Sequence, residues 1–238
     1  MKLDILAIGV HPDDVELSCS GTLLKHIAAG KKCGILDLTS GELGTRGSGP
    51  LRLQEAAEAA KILGVSLRRN LGMADGFFRN DADHQLAIIK VIREYQPEII
   101  LCNAVTDRHP DHGRSSQLVS EACFYSGLRK IVTEADGKEQ EAWRPKAVYH
   151  YIQDRHIKPD FIVDITEVAD KKMEAIQAFK SQFYDPDSKE PESPISVKNF
   201  LDVVKGKMSL FGRDAGFDYA EGFTTERSIG ITDLFDLK

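Results

Sequence analysis

The chain has 238 residues, enough for one large domain or a domain with a modest extension. Apolar residues make up 42% and charged residues 29%, an ordinary globular balance, and a net charge of −6 leaves no electrostatic footprint for DNA or RNA. No apolar run is long enough to cross a bilayer and no signal-peptide pattern opens the chain, so no membrane association and a cytoplasmic location are expected.

In chain order, residues 3–9 form a β-rich run, 22–29 carry apolar residues at helical spacing, and 33–39 are a second strand candidate. A Gly-rich loop over 40–49 leads to Pro50 and an Ala- and Glu-rich helix over 51–63 that Gly64 stops. A helix over 83–95 ends before Pro97, and 98–104 is a near-continuous apolar run, the pattern of a strand covered on both faces. Residues 115–128 read as helical, and 134–144 as an exposed polar excursion. Strands are expected over 147–152 and 161–165 and a helix over 168–183. The acidic, Pro-rich 185–194 reads as a mobile loop, and Ser193-Pro194 as the cap of a last helix reaching about Phe211.

Strands alternating with helices predict a Rossmann-like, mostly parallel α/β sheet flanked by helices. One domain over 1–238 is expected, with a core over 1–130 and a smaller C-terminal α/β extension over 131–238 that completes the site. Two clusters rich in imidazole and carboxylate follow strand candidates: Gly9-Val10-His11-Pro12-Asp13-Asp14 and Arg108-His109-Pro110-Asp111-His112. Ligands bind at the carboxyl ends of strands in such sheets, so both clusters fall where a site is expected. Two histidines and an aspartate suffice for a catalytic metal, and the surplus aspartates would supply a base and an orienting group. His11, Asp14 and His112 can converge on one ion, while Asp13 projects beside it. One cluster alone reads as a turn with capping aspartates; two at strand ends favour a metal site. Arg52, at the start of the helix after the Gly-rich loop, is as much an exposed helix arginine as a site residue on local context. His26, His84, His150 and His156 read as packing or surface groups, and the four cysteines, free of any CxxC pairing, as buried hydrophobes. No GxGxxG occupies the first strand end, which speaks against a dinucleotide cofactor.

These residues, with Arg52 followed by Glu55-Ala56, resemble the zinc-dependent N-acetylglucosaminyl deacetylases of the LmbE/PIG-L family. Residues 36–39 (LDLT), Arg108 to His112, Lys158-Pro159-Asp160, Ser181-Gln182-Phe183 and residues 219–223 (YAEGF) resemble its bacillithiol-biosynthesis branch, which deacetylates N-acetylglucosaminyl malate. The resemblance implies His11, Asp14 and His112 as ligands of zinc, or of ferrous iron, and Asp13 as general base. It implies His109 as acid or oxyanion donor, oriented by Asp111, and Arg52 as a group on the sugar or the intermediate. Arg108, with Lys158, would meet the malate. A homo-oligomer, hexamer or trimer, and a small sugar-conjugate substrate are also implied. Some members carry an active-site tyrosine, yet residues 194–200 (PISVKNF) hold none, so none is carried over. The alternatives are another N-acetylglucosamine conjugate or a chitooligosaccharide as substrate, or a non-catalytic metal-containing sugar-binding protein. An iron oxygenase sits poorly with the spare base, and a phosphoesterase would need more carboxylates or a second metal.

Overall fold

The computed structural model describes residues 1–236. Five apolar residues, Ile5–Gly9, form β1, and Cys33–Asp37 form β2 in parallel register with it, Gly9 opposite Asp37. Leu67–Asn70 (β3) extends the sheet beyond β2, and Ile99–Cys102 (β4) pairs with the other edge of β1, Ile8 opposite Cys102. The chain thus runs outward in one direction from β1 and then returns to its other side. That reversal opens a crevice beyond the carboxyl ends of β1 and β4.

Glu134–Ala135 (β5) and Lys138–Glu139 (β6) make a separate hairpin inside the expected excursion. Ala147–Tyr151 (β7) pairs parallel to β4, Phe161–Asp164 is β8, and Ala220–Thr225 (β9) runs antiparallel between them. The seven-stranded order is β3-β2-β1-β4-β7-β9-β8, so the strands of the second half continue the sheet of the first.

Side chains alternate across β1. Leu6 and Ile8 pack with Ile88, Ile92 and Leu118 on one face, and Ile5 and Ala7 with Leu23, Tyr151 and Phe223 on the other. The helices on these faces are Asp14–Ser18 (α1), Ser20–Ala28 (α2), Gly49–Leu63 (α3), Ala82–Tyr95 (α4), Pro110–Ser126 (α5), Ala169–Gln177 (α6) and Phe200–Arg213 (α7). Ser48 caps α3, Pro50 stands in its first turn, and Gly64 closes it in the left-handed region at φ 74°. Cys19, Cys33, Cys102 and Cys123 are all buried and unbridged. Burial pushes the Cys33 thiol up to about 12 and those of Cys19 and Cys123 well above the ordinary value.

Several expected boundaries move. α1 occupies residues that read as a turn, and α5 starts five residues before the expected 115, because Pro110 fits a first helical turn and His109 caps it. α6 stops at Gln177 rather than 183, and α7 begins at Phe200 rather than at Ser193-Pro194. In that turn the Ser193 amide donates to the Ser196 hydroxyl instead of Ser193 capping a helix. The segment expected to be mobile is tied to the loop before α3 through Glu190, which accepts from the Gly47 amide at 3.0 Å and pairs with Arg46 Nε at 3.7 Å.

Candidate active site

β1 delivers His11, Asp13 and Asp14 to the crevice, and β4 delivers Asn103 and, through the loop after it, Asp107 to His112. The His11, His109 and His112 rings stand 4.8 to 5.7 Å apart by centroid. About a hundred residues of sequence collapse to one cluster because β1 and β4 are neighbours.

Each of two histidines is held from outside by a carboxylate. His11 Nε2 lies 3.1 Å from Asp75 Oδ1, and His112 Nδ1 lies 2.6 Å from Asp107 Oδ2. Their remaining nitrogens face the same group: His11 Nδ1 is 3.7 Å and His112 Nε2 3.3 Å from the Asp14 carboxylate. Asp14 also accepts from the Val10 and His11 amides, Asn103 Nδ2 and Gln153 Nε2. Burial opposes its charge, but His112 and His11 outweigh that and hold the carboxyl well below its usual range. Burial likewise works against charge on the two imidazoles; Asp14 and Asp75 nevertheless lift His11 to about 10, and Asp14 and Asp107 lift His112 to about 9. A divalent cation would take the place of those protons. Possible ligand atoms within 4.8 Å of one another come from His11, His109 and His112, and from His11, Asp75 and Asp111. Carboxylates on the outer nitrogens of metal-ligating histidines are the recurrent arrangement around such ions, so the residues fit a metal.

Asp13 sits at φ 123° immediately before α1, beside Asp14 but turned to Arg52, whose Nη2 donates to Oδ2 at 3.0 Å. Burial raises the Asp13 carboxyl to about 6 against the pull of Arg52. Arg52 also donates to Gln182 Oε1 at 2.7 Å and to the Gly41 carbonyl at 3.3 Å, while its Nε finds no partner. Only glycine fits at 41, at φ 63°, because a Cβ there would stand 1.8 Å from Arg52 Nη1. Glu55 accepts from the Ser181 amide and hydroxyl, both at 2.7 Å, and so seats the neighbouring Gln182.

His109 Nδ1 accepts from the Asp111 amide at 3.3 Å, so its proton belongs on Nε2. Burial and the charges of His11 and His112 lower its pKa, which keeps the ring neutral and a hydrogen-bond donor at pH 7. The carboxylate expected to orient His109 is turned elsewhere: Asp111 accepts from the Gly76 amide and Arg114 and lies 3.9 Å from His11 Nε2. The capping amide, not that side chain, sets the His109 tautomer. Arg108 lines the cavity, but its Nε is engaged by Asp154, which offsets the charge expected to meet an anionic aglycone.

His11, Asp13, Asp14, Arg52, His109 and His112 line a cavity of about 350 Å³, and no tyrosine is among its lining residues. Sequence reasoning missed Asp75, Asp107, Asn103, Gln153 and Gln182. Asp107 adjoins the second cluster and Asn103 ends the apolar run of β4, both readable signals. Asp75 follows a strand too polar to have been expected, and Gln182 stood only as a family feature without a role. Among the four histidines set aside as lacking carboxylate partners, two have one: His150, buried, stands 3.0 Å from Glu226, and His84 2.7 Å from Asp81.

A family model described as PIG-L: GlcNAc-PI de-N-acetylase matches residues 6–123, the stretch that contributes all three histidines. The conserved protein TT1542 from Thermus thermophilus superimposes with a TM-score of 0.86 at 34% identity, over 98% of each chain. Diacetylchitobiose deacetylase from Thermococcus kodakarensis is 29% identical over 92% of this chain and 81% of its own. At 28% stand a probable N-acetyl-alpha-D-glucosaminyl L-malate deacetylase 2 from Bacillus anthracis (75% of this chain, 81% of that one) and 4-oxalmesaconate hydratase from Pseudomonas putida (74% and 73%). The identities give the bacillithiol-type branch no priority over the others. With that model on the half that builds the histidine cluster and relatives along nearly the whole length, the chain belongs to the PIG-L family of deacetylases.

Proposed function

We propose that this protein is a metal-dependent deacetylase of an N-acetylglucosamine conjugate. One observation carries the reading: His11 and His112, each backed by a carboxylate, turn their free nitrogens to Asp14, while the buried Asp13 beside them stays outside that set with a raised pKa. His11, Asp14 and His112 would hold the ion, zinc or the ferrous iron that the same donors suit. When bound, such an ion polarises a carbonyl and lowers the pKa of water toward neutrality.

The remaining work falls to the chain. Asp13 Oδ takes the proton of the attacking water and returns it to the departing amine nitrogen. Arg52 fixes that carboxylate, and His109 Nε2–H donates to the carbonyl oxygen as charge develops there. Gln182, Arg46 and Thr45 line the same cavity as the base and offer polar groups to sugar hydroxyls.

For the aglycone, two features favour a second amino sugar over malate. Arg108 is already paired with Asp154, and the diacetylchitobiose deacetylase likeness runs over 92% of the chain. Acetate release from diacetylchitobiose, N-acetylglucosaminyl malate and free N-acetylglucosamine by the metal-loaded protein tests both levels. The disaccharide is expected to give the highest kcat/KM. Preference for the malate conjugate would restore the bacillithiol reading. No acetate from any of them would move the protein toward a sugar-binding role or the hydratase chemistry named for the Pseudomonas relative.

A further inference from the structure

A second cavity of about 70 Å³ lies against the first, under α7. The two share Leu17, Arg108, His112, Gln153 and Ile195 as lining, so the smaller chamber opens at the His112 side of the cluster. Its own walls are mainly apolar, from Ile152, Val203, Val204, Met208 and Phe211. Its own polar lining is Ser18, Asp154, Lys207 and the buried Lys172–Glu221 pair, whose Nζ and Oε1 stand 2.6 Å apart.

An amide held at the cluster has two ends of different chemistry. The sugar end needs hydrogen-bonding groups, which the larger cavity offers through Arg52, Gln182 and Arg46. The acyl end needs an apolar surround, and the chamber supplies it on the other side of His112. Size limits the occupant: an apolar void of about 150 Å³ takes up benzene, so the 70 Å³ chamber suits a chain of roughly two to four carbons and excludes a hexose. We infer that this chamber is an acyl subsite with room beyond the acetyl methyl, so that N-propionyl and N-butyryl glucosamine conjugates are substrates. Water's oxygen joins the acyl carbon, the C–N bond breaks, and a short-chain carboxylate and the free amine leave.

The inference rests on the amide-hydrolysis reading of the neighbouring site, and an acyl series separates the two. The metal-loaded full chain is given N-acetyl, N-propionyl, N-butyryl and N-octanoyl versions of one glucosamine conjugate, and amine release is followed. Each methylene added up to butyryl is expected to lower KM about fourfold, with a sharp fall at octanoyl. Val204→Phe narrows the chamber and should cut the butyryl-to-acetyl ratio of kcat/KM by roughly tenfold or more; Met208→Ala widens it and should shift the optimum to a longer chain. Cleavage of the acetyl conjugate alone overturns the inference and leaves the deacetylase standing. So does an equal loss on all chain lengths in Val204→Phe with no gain in Met208→Ala, which would give the chamber to another part of the substrate. Cleavage of none of them overturns both.

Discussion

At Asp13 the backbone sits at φ 123° and ψ −22°, a region that a residue with a Cβ adopts only under constraint. Holding it there costs about 1–3 kcal/mol, and such strain persists where the surroundings over-determine it. Arg52 on one side and the following helix on the other supply that constraint here. The strained turn sends Asp13 toward Arg52 while Asp14, next in sequence, faces the histidines. Neighbouring aspartates thereby acquire opposite proton affinities, one raised and one depressed. Asp13→Asn keeps the shape and removes the basicity, so kcat should fall roughly 100-fold or more while metal content by mass spectrometry stays unchanged. The sign of the pH dependence follows from the base role. Asp13 must be ionised to act, so wild-type kcat/KM should decline as pH falls through its pKa, about 6 in the chain alone and lower with a cation beside it. Near-normal turnover in metal-replete Asp13→Asn, or the same acid limb persisting in it, would transfer the base role to another group.

Among the elements, β3 shows how charge can be stabilised inside a sheet. Arg68 bridges Glu16 of α1 at 2.5 Å and both oxygens of Asp37 of β2 at 2.8 and 3.0 Å. Burial raises both carboxyls, with Arg68 opposing that rise. Removing the guanidinium strands two buried carboxylates behind the catalytic turn. Arg68→Met should therefore cost about 3–5 kcal/mol in urea unfolding, and adding Glu16→Gln and Asp37→Asn should recover part of it. A loss under about 1 kcal/mol would mean that these carboxyls are already protonated in the native chain. The same pairing explains why β3 was illegible in the sequence: Leu-Arg-Arg-Asn has no apolar alternation, and its burial depends on partners thirty and more residues away. β9 hid for a related reason. Its Glu221 is buried, satisfied by Lys172 and by the Gly21 and Thr22 amides at the start of α2. β1 and β4 were legible because they are covered on both faces and spell continuous apolar runs. The two His/Asp clusters were legible because each follows such a run. Asp75, the carboxylate behind His11, was not, since it stands 64 residues on, beyond β3, and meets His11 only once β1, β2 and β3 are assembled.

Over the whole molecule, the crevice collects groups from both halves of the chain. Asn103 and His112 come from the first, Gln153 and Gln182 from the second, and the β4–β7 pairing joins the halves into one sheet. An ion seated on His11, Asp14 and His112 would thus stabilise contacts well beyond its ligands. The four buried thiols allow that to be measured. Cys19 lies between α1 and α2, Cys33 opens β2, Cys102 ends β4 and Cys123 rides on α5, so they sample both faces of the sheet. None is reachable, and Cys19, Cys33 and Cys123 are held protonated at neutral pH, so an alkylating reagent can label them only when the surrounding structure opens. Their labelling rates are therefore clocks of local and global opening, already spaced through the protein without any engineered probe. A metal present at a hundred times its dissociation constant should slow the clocks that require global opening by about 100-fold, and chelation should restore them. A position whose rate ignores the metal would mark a region that opens while the ligands stay together, and four indifferent positions would mean that nothing binds at the crevice. The cysteines thus divide the sheet into the part that fluctuates with the catalytic centre and the part that fluctuates without it.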